Sequence, residues 1–303
     1  MTTQAGPSIT VSVKPAVGKW NVKRLWANTW RGAKRNPNMA YGIGIVVFMA
    51  LLAIFADLLW TETWRPNPLS RFTSPTFSGG HWFGTDNIGR DVYSGTIYGA
   101  RVSLLVAASV SAIAIGSGGV LGIVAGYFRR SDMFIMRFVD GLMSIPSILL
   151  AMALMALLGG SVQNVIIALS VTEAPIAVRI VRSAVLSVRE MTYVDAARAI
   201  GARSPRILFR HIMPNIVAPL IVQGTFIASA AVLLEAYLSF LGAGTPPEVP
   251  SWGIIMAESQ KYITRAVWVI LFPGIFLTLT VLGISLAGDG LRDNLDPRLR
   301  RRM

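Results

Sequence analysis

Apolar residues fall into six long blocks along the chain, at about 40–60, 98–127, 134–158, 164–182, 215–241 and 266–288. Each reaches or approaches the ~20 residues that a helix needs to cross a bilayer. Short polar stretches, rich in turn formers, basic residues or tryptophan, separate them. The pattern predicts an all-α polytopic membrane protein with six transmembrane helices. It divides the chain into a tail (1–39), a six-span domain (40–288) and a second tail (289–303).

The polar stretches carry the topology. Residues 1–19 lack a clear helical period and read as disordered. Residues 20–36 set Trp20, Leu25, Trp26 and Trp30 among Lys and Arg, which predicts an amphipathic helix on the membrane surface. Most of the basic residues lie in the first tail, at Arg129, Arg130 and Arg137, in the stretch 182–210 and in the last tail. That asymmetry places those segments and both termini in the cytosol. The stretches 61–97 and 242–265 then face outward, with Pro66, Pro68 and Pro75 marking turns and Trp60, Trp64 and Trp82 suited to the interface.

One inside segment, YVDAARAIGARSPRILFRHIMP at 193–214, is polar, basic and rich in small residues. Thr192 and Asp195 have the spacing of a capping box that opens a short helix. Gly201 is placed to end it. Ser204 as N-cap, with Pro205 at the first helical position, opens a second short helix. Pro214 begins the fifth apolar block. A helix of small residues facing the cytosol lets a partner approach closely.

The chain has 303 residues, of which 53% are hydrophobic and 14% charged, a balance that excludes an ordinary soluble enzyme. The net charge of +13 is spread over short loops and tails, so it reflects membrane topology and not nucleic-acid binding. With no cysteine, disulfide and thiolate metal sites are excluded. His81 and His211 fall on opposite predicted sides and make no metal site. No Walker A sequence occurs, and no clustered catalytic set is present. Catalytic and metal residues are therefore read as none.

The segment 193–215 resembles the EAA coupling loop of ABC importer permeases. GTDNIGRDVYSGTIYGAR at 84–101, EAYLSFLGAGTPPEVPSWG at 235–253, FPG at 272–274 and GDGLRDNLDPRLR at 288–300 are similar to further segments of the same family. Together they identify the chain as a member of the dipeptide/oligopeptide (peptide/nickel) ABC importers, of the C-type inner-membrane permease. The long first tail and modest first outer loop favour the C type over the B type. Asp195 stands where the family usually carries Glu, and Glu173 falls in the fourth span where an apolar or aromatic residue is expected.

The resemblance implies the type I importer permease fold in a bacterial cytoplasmic membrane. It implies a heterodimer with a B-type permease, two ATPase subunits or domains that hold ATP and magnesium, and an extracytoplasmic substrate-binding protein. A peptide is the expected cargo, with lipid around the chain and no cofactor of its own. Nickel complexes or another small solute are the alternative within the family, and an ion-driven secondary transporter the alternative outside it. The coupling residues expected are Tyr193, Asp195, Ala196, Ala197, Arg198, Gly201, Phe209, His211 and Pro214, within the loop 183–214. Asp140, Glu173 and Glu235 are acids in or near spans and are candidates for the path. Glu173 meets either a peptide amino terminus or Arg179 or Arg182. Asp86, Arg90, Asp91 and Trp252 are candidates for docking the binding protein, though the stretch 84–101 equally suits a fold over the outer mouth. The glycines at 116, 118, 119, 122 and 126 predict close helix contact, with the paired permease, or a bend.

Overall fold

The computed structural model describes residues 36–59, 64–76 and 80–295. The surface helix expected at 20–36 lies outside all but the end of this range, as do Trp60 and the chain beyond 295. The described chain is helical, with a single isolated bridge between Thr85 and Asp91. In chain order the helices are α1 (Pro37–Ile54), α2 (Val92–Tyr127), α3 (Arg129–Met143), α4 (Ser147–Leu158) and α5 (Val162–Arg189). They continue as α6 (Thr192–Ala199), α7 (Ser204–Ile207), α8 (Met213–Phe240), α9 (Trp252–Ser259) and α10 (Trp268–Leu295).

Five helical runs among the described residues are long and apolar enough to cross a membrane: α1, α2, α5, α7–α8 together, and α10. The third expected span, 134–158, is broken, and makes a sixth crossing only if its two helices count as one. It is two helices, α3 and α4, meeting at 88°. Pro146 has no N–H to donate and disfavours helical backbone at Ile145, so α3 stops at Met143. The 12 residues of α4 reach only about 18 Å, well short of a ~30 Å hydrocarbon core. The second span is longer than expected. Asp91 accepts from the Ser94 N–H at 2.8 Å, an N-cap that starts α2 at Val92.

α2 and α5 lie in close contact along one stripe. Cβ atoms added at Gly118, Gly122 and Gly126 would come within 2.5, 2.6 and 2.7 Å of the Cβ atoms of Ala177, Val181 and Val185. Every fourth residue on one helix face is therefore a glycine, and the two backbones approach as small-residue pairs do in membranes. The contact expected with a paired permease is thus made inside this chain. Gly116, by contrast, has nothing within 4 Å of its Cβ position.

Ion pairs and caps tie the remaining elements to this pair. Arg182 donates to both carboxylate oxygens of Asp132 on α3, at 2.5 and 2.7 Å. Arg179 reaches Asp140 at 2.7 Å. Arg189 donates to the Gly126 and Tyr127 carbonyls at 3.1 and 3.3 Å, closing the end of α2. At the opposite end, Arg101 of α2 caps α1 through the Ala53 and Ile54 carbonyls and pairs with Asp57 at 2.8 Å. Hydrogen bonds from Arg101 and Tyr98 hold the Asp57 carboxyl below the usual carboxylate range.

The stripe predicts a sharp contrast. Gly122→Leu forces α2 from α5 and costs about 1–3 kcal/mol, read as a lower melting temperature of the purified protein. Gly116→Ala leaves that temperature unchanged or slightly raised.

Candidate functional site

The segment 190–215 folds into a compact hairpin at one end of the bundle, between α5 and α8. α5 ends at Arg189, and a two-residue turn leads into α6. The expected capping box does not form. Met191, in extended conformation, is the N-cap, its carbonyl accepts from the Val194 N–H at 2.8 Å, and Thr192 is already inside the helix. The Asp195 carboxylate turns to Arg198, 3.1 Å away, and not back to the cap.

Gly201 ends α6 as expected. Its φ is +81°, the left-handed region that disfavours side chains. The Ala202 N–H reaches the Ala197 carbonyl at 3.0 Å and the Gly201 N–H the Arg198 carbonyl at 2.9 Å, which together make a Schellman motif. The second short helix is not separate. α7 runs through a π turn at Leu208–Ile212 straight into α8, giving one helical run from Ser204 to Phe240. The wide turn accommodates Pro214, whose ring would collide with the carbonyl four residues back in a regular α-helix. The N-cap of α7 is Arg203, one residue before the expected Ser204.

Val194, Ile207, Ile212 and Ile216 are buried in one cluster with Val181 and Val185 of α5. This cluster fixes the hairpin to both long helices at once. Tyr193 adds a polar link: its hydroxyl accepts from Asn215 Nδ2 at 3.3 Å, and its ring lies 6.1 Å from that of His211. Partial burial pushes the Tyr193 hydroxyl pKa up.

The opposite face is open. Tyr193, Asp195, Ala196, Arg198, Gly201 and Phe209 are exposed there, and His211 and Pro214 are half-buried behind it. Ala197, also expected on this face, is buried. Ile200, outside the expected set, is 86% exposed, and Phe209 is 67% exposed. An isoleucine immediately before the C-cap glycine was the available signal. The face thus offers small residues and two apolar side chains, with no paired metal ligands or nucleophile among them.

The other expected site residues lie elsewhere. Asp140 is exposed on α3, paired with Arg179. Glu173 is buried in α5 and bonds to neither Arg179 nor Arg182, because Asp140 and Asp132 take those arginines. Glu235 is fully buried at the far end of the bundle. It accepts from Ser103 at 3.0 Å and Ser239 at 2.9 Å, joining α8 to α2.

Asp86, Arg90, Asp91 and Trp252, the residues expected to dock the binding protein, are all buried within the chain. Arg90 donates to Asp86 at 2.6 Å, reaches Glu258, and lies 4.2 Å from the ring of Trp64. Asp91 caps α2 and bonds His81 at 3.0 Å, while Trp252 donates to the Thr96 carbonyl at 2.9 Å. Burial of these charges requires mutual pairing, which folds the segment inward over α2 and α9 and leaves them no free surface.

Residues 118–301 match the family model for the inner membrane component of binding-protein-dependent transport systems. The chain belongs to that family. Residues 24–75 match the N-terminal membrane domain of oligopeptide transport permease C. A dipeptide transport system permease protein, DppC, of Alkalihalophilus pseudofirmus is 43% identical, with 94% of each chain covered. The oligopeptide permease OppC of Bacillus subtilis is 35% identical over 91% of each. A probable peptide ABC transporter permease of Sinorhizobium fredii is 47% identical over 90% of this chain and 93% of its own. The inward-facing MetNI methionine ABC transporter shares the fold, with TM-score 0.56 at 20% identity over 67% of this chain and 97% of that one. The permease is therefore a multi-pass inner-membrane protein of the ABC importer fold.

The hairpin's attachment is testable. Val194→Asp places a carboxylate in the shared apolar cluster at a cost on the order of 3 kcal/mol. Limited trypsin digestion should then cut at Arg198, Arg203 or Arg206 at least tenfold faster than in the parent.

Proposed function

We propose that the chain is the C-type permease subunit of an ATP-driven peptide importer. It pairs with a B-type permease, is served by an extracytoplasmic binding protein, and is moved by two ATPase subunits that hold ATP and magnesium. The cargo reading is supported by relatives named for peptide, dipeptide and oligopeptide transport, alike over nearly their whole length. The chain itself is non-catalytic and forms half of the path.

The observation that carries the mechanism is the two-faced hairpin. One face is sealed to α5 and α8 through Val194, Ile207, Ile212 and Ile216. The other presents Ala196, Ile200, Gly201 and Phe209 to the cytosol, where an ATPase cleft would receive them. Motion of the partner must then carry α5 and α8 with it, and α3 as well through Arg182–Asp132. Moving such a two-state equilibrium from 1:99 to 99:1 requires the partner to favour one state by about 5.5 kcal/mol. ATP-driven closure supplies that difference, and this chain converts it into alternating access.

In the reconstituted complex, Ala196→Trp should lower ATP-dependent peptide uptake at least tenfold, while ATP binding by the partners is kept. Full uptake by this variant would overturn the coupling role. Because the chain lacks cysteine, Ser204→Cys reports orientation alone. A membrane-impermeant maleimide should label it in inside-out vesicles and not in intact cells.

A further inference from the structure

At the end of α2 the chain turns through Phe128 into α3, leaving an open recess of about 630 Å³ in the corner. Arg129, Arg130, Arg189 and Arg198 line it, together with Tyr127 and Phe128. No carboxylate is part of the lining. Asp132 is engaged with Arg182 and also lies within electrostatic reach of Arg189, and Asp195 offsets part of the charge at Arg198, so four guanidinium groups face two carboxylates that are already bonded elsewhere or shared. Arg189 is fixed by its bonds to Gly126 and Tyr127 and, with five N–H donors, retains others. No side chain caps the first turn of α3, which starts at the recess. Its N–H groups add partial positive charge to that of the four guanidinium groups.

Guanidinium forks bind phosphate and carboxylate oxygens in bidentate pairs, and several arginines converging on one recess suit the several oxygens of a phosphate. The surroundings point to the source of that phosphate. Arg130, Phe134 and Phe138 follow one another at i, i+4 and i+8 on the exposed face of α3, with Phe134 74% and Phe138 69% exposed. A free anion or an acidic protein side chain has no use for such an apolar stripe, whereas an acyl chain does. We infer that the recess binds the phosphate of an anionic phospholipid of the cytoplasmic leaflet, with its acyl chains along Phe134 and Phe138. This rests on the orientation proposed above, which the Ser204→Cys labelling tests independently.

The test is a titration of the purified complex with phosphatidylglycerol and with phosphatidylcholine, read by native mass spectrometry. The double variant Arg129→Gln/Arg130→Gln leaves Arg189, which closes α2, in place. It should bind phosphatidylglycerol about twenty-fivefold more weakly, from roughly a fivefold contribution per arginine, with phosphatidylcholine unchanged. Phe134→Ser should weaken the lipid but not inorganic phosphate. Unchanged phosphatidylglycerol affinity in the double variant overturns the inference. So does loss of the ATPase subunits with lipid binding intact, which would make the recess a protein contact. Inorganic phosphate binding as tightly as the lipid would make it a free-anion site and overturn it equally.

Discussion

The close approach of α2 and α5 is the contact on which the other elements depend. It rests on three glycines, Gly118, Gly122 and Gly126, that let a 36-residue helix and a 28-residue helix meet backbone to backbone. In lipid there is little hydrophobic drive between helices, so dispersion over such a contact carries the association. α5 then serves as the mount for everything at the hairpin end. Two arginines hold α3, a third closes α2, and the apolar cluster around Val185 holds the hairpin.

The other end is organised by polar groups removed from water. Arg90, Asp86 and Glu258 satisfy one another, and Glu235 is satisfied by serines of two helices. Leaving any one of these groups unpaired would cost several kcal/mol, so the network tolerates few alternative arrangements. That end of the molecule is a folded cap of short helices and loops set by hydrogen bonds, while the membrane-embedded part is set by shape.

The long spanning helices, the hairpin at 190–215 and the family were legible because apolar block length, local turn residues and family motifs report them directly. Gly201 is a case in point: the αL position it fills is visible from a glycine after a run of alanines. The bend at Pro146 was harder to read, since the flanking apolar residues continue the hydropathy signal straight through it. Thr192 failed as a cap because an extended Met191 sits one residue nearer to α5, a tertiary choice that the S/T-x-x-D pattern does not record. The buried acids were least legible. Asp86, Arg90 and Asp91 look like any exposed polar loop until their partners, such as Glu258 some 168 residues away, are known.

The uninterrupted run from Ser204 to Phe240 has 37 residues, about 55 Å of rod. One end carries the exposed face of the hairpin, and the other carries Glu235, bonded to Ser103 of α2. Such a rod conveys rotation about its own axis as well as displacement. The π turn at Leu208–Ile212 is where its winding departs from regular pitch. A twist taken up or released there would shift the register of every side chain above it, as a crankshaft does along its length.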